Sequence, residues 1–212
     1  LQGQLVFNQR ARFPMSHVSR PSNITILSCS LDPESRSRIM AREAERLIKE
    51  GGHEPKLLDL RDLGLPSFDN SDCYNHPAFA GLHAAIRDSD GVLLCVPIYN
   101  WSIGSAAKGL MEATGATGEG GRLSAWFDKV VTFACAGGLP HSYMAYGPTA
   151  MSLMLDFKCI INPYAVYAST RDWLQNGAMS QSLRDRLDKT LAVKIELTRL
   201  LRARTYRSGW EV

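Results

Sequence analysis

The sequence predicts an α/β fold: one parallel sheet of five strands, covered by helices on both faces. Three observations carry this expectation. From Asn23 onward, short apolar runs alternate with amphipathic helical stretches. The run DGVLLCVPIY at residues 90–99 is apolar without alternation, as a strand buried on both faces must be. Glycine, proline and asparagine separate the runs, so each break has turn chemistry.

The elements follow in order. NITILS (23–28) reads as the first strand. Residues 36–51 read as a helix with Ile39, Met40, Ala44, Leu47 and Ile48 on one face, ended by Gly51 and Gly52. EPKLLDL (54–60) is the second strand, 61–77 is loop-rich, and 78–88 is a short helix. The central strand 90–99 precedes a helix at 105–116 and a flexible connection, GATGEGG, at 115–121. KVVTFACA (129–136) is the fourth strand and ends at Gly137 and Gly138. A helix at 145–157 leads to a fifth strand, CIINPYAVYA, at 159–168. Residues 180–204 form a long amphipathic helix with Leu183, Leu187, Leu191, Ile195 and Leu197 as apolar positions. No internal repeat divides the chain. Residues 1–22 read as an extension outside the fold, 23–205 as one domain and 206–212 as a tail.

Composition narrows the function. The 212 residues are 45% hydrophobic and 21% charged, with a net charge of +3, which gives no nucleic-acid footprint. No apolar run approaches the ~18 residues of a membrane span. The five cysteines are odd in number and lack a CxxC pair, so they read as buried thiols in a reducing cytoplasm. No histidine or cysteine spacing fits a metal site.

Ligands of parallel sheets bind beyond the carboxyl ends of the strands. The loop after the first strand is SCSLDPESRSR (28–38). A helix start offers free N–H groups and a positive dipole end, and Ser30, Ser35 and Ser37 add hydroxyls, a set that suits a phosphate. Helix capping accounts for only one or two of these residues. The loop has no glycine, which excludes the GxGxxG and P-loop patterns. A tyrosine-phosphatase loop, C-x5-R-[ST], is missed by one residue, because six stand between Cys29 and Arg36. A tightly held phosphate that is not itself attacked, such as that of FMN, remains. The loop after the central strand, VPIYNWSIG (96–104), offers Pro97, Tyr99, Asn100, Trp101, Ser102 and Ile103, a surface for a flat heteroaromatic ring.

Together the two loops resemble the NAD(P)H-dependent FMN reductase family. Its first motif, roughly G-S-L-R-x-x-S-x-[SN], is met by Ser30, Leu31, Ser35 and Ser37. Its second, roughly P-x-Y-N-x-S-x-P-x-x-L-K, is met by Pro97, Tyr99, Asn100, Ser102 and Lys108. The resemblance covers residues 23 to about 170. It implies a flavodoxin-like three-layer sandwich with strand order 2-1-3-4-5. It implies that Ser30, Ser35 and Ser37 hold the FMN phosphate, with Arg36 beside them as a further cofactor-binding candidate, that 97 and 99–103 line the ring, and that Ala136, Gly137 and Gly138 flank its other edge. NAD(P)H would be the electron donor and a small molecule the acceptor. No catalytic side chain and no metal are implied, because the flavin performs the chemistry. The family also implies a homodimer or homotetramer; the C-terminal helix and loop 61–77 read either as its interface or as core packing. His141 and Tyr143, in the loop after the fourth strand, read either as neighbours of the substrate face or as surface residues without a role. This sequence departs at Asp32, where the family has arginine, at Glu34, at Gly104 in place of proline, and at Glu112 in place of aspartate. An electron carrier and a flavin-free phosphate-binding protein are the alternative readings.

Overall fold

A computed structural model describes residues 20–116 and 123–209. Seven strands form one sheet: β1 (Asn23–Ser28), β2 (Glu54–Asp59), β3 (Gly91–Tyr99), β4 (Ser102–Ile103), β5 (Val130–Ala136), β6 (Ile160–Ile161) and β7 (Val166–Ala168). Six helices accompany them: α1 (Arg36–Glu50), α2 (Leu60–Leu63), α3 (Pro77–Arg87), α4 (Ser105–Gly115), α5 (Gly147–Phe157) and α6 (Gln181–Arg202). The main path runs β2-β1-β3-β5-β6, all parallel, which is the expected 2-1-3-4-5 order.

The central strand explains the layering. Successive side chains of β3 point to opposite faces. Leu94 and Val96 join α3, α4 and α5 through Leu82, Leu110 and Leu153. Leu93 and Cys95 join α1 and α6 through Met40, Ala44, Leu183 and Leu187. Each fully buried Leu here contributes about 2 kcal/mol from removed apolar area.

Two sheet features differ from expectation. The fifth strand is broken into β6 and β7, both paired with β5. Pro163 has no N–H for a ladder. Asn162, beside it, turns its amide inward to Thr132 Oγ1 and the Thr190 carbonyl and accepts the Tyr164 N–H. The sheet also gains β4, a short antiparallel return on β3. In α1 the buried face is Met40, Ala41, Ala44 and Ile48, whereas Ile39 is exposed. The loop-rich stretch 61–77 contains α2 and a 3-10 turn at Asp72–Asn75, with Phe68, Tyr74 and Phe79 packed edge to face. The chain is fixed from Arg20, which pairs with Asp90, and Ser22 is fully buried. At the other end, Ser208 bonds the buried Asp128 carboxylate. Most of the GATGEGG connection lies outside the described residues.

Candidate functional site

Three strand-end loops converge at the carboxyl edge of the sheet. They enclose a cleft of about 220 Å³, lined by Ser35, Arg36 and Ser37 from the first, Pro97 and Tyr99 from the second, and Ala136–Gly138 from the third. Two larger grooves, about 610 and 520 Å³, run along α4. The smaller cleft is the candidate site, because a helix start and two further strand ends meet there.

The serine loop is built around Arg38. Arg38 is 7% exposed, and its guanidinium pairs with Asp59 and donates to the carbonyls of Ser30, Asp32 and Pro33 at 2.9, 2.6 and 3.1 Å. The bond to Asp59 raises the Arg38 pKa. Burial pushes the Asp59 carboxyl up, but its bonds from Arg38 and the Arg61 N–H hold it below its ordinary value. Ser35 caps α1, its Oγ accepting the Arg38 N–H at 3.3 Å. Ser35 Oγ and Ser37 Oγ lie 2.8 Å apart and both residues are buried. Among the described residues, no acceptor takes the backbone N–H of Arg36 or Ser37. A short anion at this helix start would therefore meet hydroxyls and free amides.

Ser30 stands behind the cleft wall. It is 2% exposed, and its Oγ accepts the Asp32 N–H. Asp32 in turn accepts the Glu34 N–H at 2.9 Å, which closes the loop as an Asx turn. Cys29 is fully buried, and burial, with Cys95 beside it, pushes its thiol well above the usual range. That removes the nucleophile a phosphatase loop needs.

The second loop is a tight hairpin. Asn100 (φ +48°) and Trp101 (φ +61°) both occupy the left-handed region between the paired Tyr99 and Ser102, the pattern of a type I′ turn. Asparagine adopts it readily, but a bulky tryptophan there is a strained choice. The exposed Trp101 indole lies 5.4 Å from the His141 ring, which links this loop to the third. Ser102 and Ile103 line the α4 groove with Phe68 and Lys108 rather than the small cleft. Gly104 has a local reason: its N–H donates to Pro97 O at 2.9 Å, and a Cβ would stand 2.9 Å from Pro97 Cγ. A proline here could not make that bond. In the third loop, a Cβ on Gly137 would fall 2.3 Å from Tyr167 Oη, which itself donates to Leu139 O.

Sequence reasoning missed Arg38, Asp59 and Tyr167. Arg38 carried a signal, since it stands three residues before Ala41 on the apolar stripe of α1. A charge on that stripe must find partners.

A model of the family described as NADPH-dependent FMN reductase matches residues 22–173. The NADPH-dependent FMN reductase ArsH of Shigella flexneri is 36% identical over 92 residues, 43% of this chain and 35% of that protein, so the match spans about a third of the relative's length. Among solved structures, the NAD(P)H:acceptor oxidoreductase FerB of Paracoccus denitrificans is similar at 18% identity and TM-score 0.68, covering 84% of this chain and 98% of that one. The NAD(P)H:quinone oxidoreductase of Methanothermobacter marburgensis is similar at 15% identity and TM-score 0.59, covering 84% and 99%.

Proposed function

Because the chain belongs to the NADPH-dependent FMN reductase family, we propose that it is an FMN-dependent NAD(P)H oxidoreductase acting on a small-molecule acceptor. The observation that carries this reading is the buried Ser35–Ser37 hydroxyl pair at the start of α1, in one cleft with Pro97, Tyr99 and the Gly137–Gly138 loop. The residues fit the cofactor. Hydroxyls and free amides suit its phosphate, and Gly138 leaves open space where a side chain would stand. When bound, FMN would supply hydride acceptance from nicotinamide and electron delivery to the acceptor.

The chain's own residues bind, orient and exclude water. Ser35 and Ser37 hold the phosphate, and Arg38 keeps their loop in shape from behind. The end of β3 and the glycine loop bracket the ring, where backbone groups can approach closely. Trp101 and His141, in contact across the loops, wall the acceptor side. The acceptor is a free flavin, a quinone, an azo compound or a metal oxyanion. The reading extends to a cytoplasmic homodimer or homotetramer. Five buried free thiols suit a reducing compartment, and α5 exposes Met151, Met154 and Leu155 on one side. The apolar stripe of α6 is less suited to the interface, since Leu183, Leu187 and Leu191 already pack on the sheet.

The test is the visible spectrum of the protein reconstituted with excess FMN and desalted, then mixed anaerobically with NADPH. Retained flavin that bleaches rapidly supports a reductase. Retained flavin that does not bleach indicates an electron carrier, and loss of flavin sinks the cofactor assignment.

A further inference from the structure

The charge lining the serine loop leaves one question: which cation answers a dianionic phosphate. Asp32 and Glu34 both line the cleft and add negative charge beside the place a phosphate would take. Arg38 is not available, because Asp59 and three backbone carbonyls occupy its guanidinium. Arg36 remains. It is in the first turn of α1, exposed and lining the cleft, and its guanidinium has no hydrogen-bond or ion-pair partner among the described residues. It rests instead over the indole of Trp173, 5.5 Å from the ring centroid.

That indole is a fixed platform. Trp173 packs against the α1–α6 core and bridges to Met179 through its backbone. The preceding turn is locked by a Ser169–Asp172 capping box and by Arg186 on Asp172. A contact between an exposed cation and an aromatic face is weaker than charge-assisted bonds to a phosphate. A phosphate entering the loop therefore outcompetes the indole for the guanidinium.

We propose that Arg36 is that cation: it is held beside the cleft by Trp173, turns to the phosphate on binding, and sets the preference for a phosphorylated flavin over its dephosphorylated form. The proposal rests on the flavin reading above. It makes Arg36 a specificity residue that acts on the ligand's charged end and not on its ring.

The test titrates the full chain, stripped of cofactor, with FMN and with riboflavin, read by quenching of flavin fluorescence. Arg36→Met keeps an aliphatic stem against the indole and removes the charge. It should raise the FMN Kd about tenfold to a hundredfold, as loss of charged hydrogen bonds does, while the riboflavin Kd stays within about twofold of the wild type. Unchanged riboflavin binding also certifies that the variant folds, and Arg36→Lys should restore part of the FMN preference. If Arg36→Met keeps the wild-type ratio of the two constants, or weakens both flavins equally, the proposal is overturned and the flavin site stands. If the wild-type chain binds neither flavin, the site reading itself falls and takes the proposal with it.

Discussion

The two ends of the central strands are finished in opposite ways. At the amino ends of β3 and β5, charged side chains seal the backbone. The fully buried Lys194 donates to Val92 O and Val130 O at 2.9 and 3.1 Å, and Lys129 donates to Arg87 O and Ser89 O at 2.5 and 2.7 Å. Gly91 leaves room there, since a Cβ would stand 3.0 Å from Lys194 Nζ, Thr198 Oγ1 and Val130 O. At the carboxyl ends, the serine loop bonds mostly to itself, but among the described residues the Arg36 and Ser37 N–H groups at the start of α1 stay free. One cation, Arg38, is buried there too, but its bonds go to the back of the loop and leave the front open. The same sheet thus keeps a satisfied, closed pole for stability and an unsatisfied, open pole for binding. An unpaired polar group costs free energy only where water cannot reach it, so the open pole must lie at the surface.

The comparison can be broken most directly at the sealed pole. Lys194→Ala should destabilise the protein by about 4 kcal/mol, through a cavity and the loss of two buried hydrogen bonds to strand carbonyls, with no specific effect on flavin affinity in the folded fraction. Chemical denaturation with a flavin titration checks both halves. The same lysine gives a pH signature. Burial lowers its pKa from 10.5 to about 7. Above pH 7 the unfolded chain holds the extra proton, so stability rises with pH. The rise should show between pH 7 and about 9 and be absent in Lys194→Met. Beyond that range the buried thiols of Cys95 and Cys135, whose pKa values burial raises above the ordinary 9.0, oppose it. A denaturation midpoint that is flat across this window would contradict the lowered lysine.

At the open pole, Arg38→Ala should cost about 3 kcal/mol, because it strands the Asp59 carboxylate. Unlike the lysine variant, it should also abolish FMN retention, since three loop carbonyls lose their anchor together. Retention of FMN after desalting would show that the loop holds its shape without Arg38. The smallest effect is expected from Gly137→Ala. The new methyl collides with Tyr167 Oη, which should cost about 1–2 kcal/mol by overpacking. Flavin affinity should fall, and adding Tyr167→Phe should recover part of both losses; a double variant no better than the single one would locate the strain elsewhere.

Much of this was legible in the chain. β1, β3 and β5 stand where continuous apolar runs place them, and α1, α4 and α6 end within two residues of their expected bounds. The three loops that form the cleft are those after residues 28, 97 and 136, because strand ends are visible wherever an apolar run meets serine, proline or glycine. What misled was local composition. CIINPYAVYA is apolar enough for one strand, yet Asn162 and Pro163 break it in two. Ser30, Asn100 and Trp101 belong to the right loops, but the cleft is not lined by them.

The sequence by itself determined which segments become strands and helices, which faces they bury and which loops carry polar groups, because periodicity and turn chemistry are local properties. Only the tertiary structure decided where the buried charges go. Lys194 finds Val92 across 102 positions of sequence and Arg38 finds Asp59 across 21. A lysine or arginine on an apolar stripe announces that it needs a partner. The partner is fixed only when the sheet register brings distant carbonyls and carboxylates within hydrogen-bond reach.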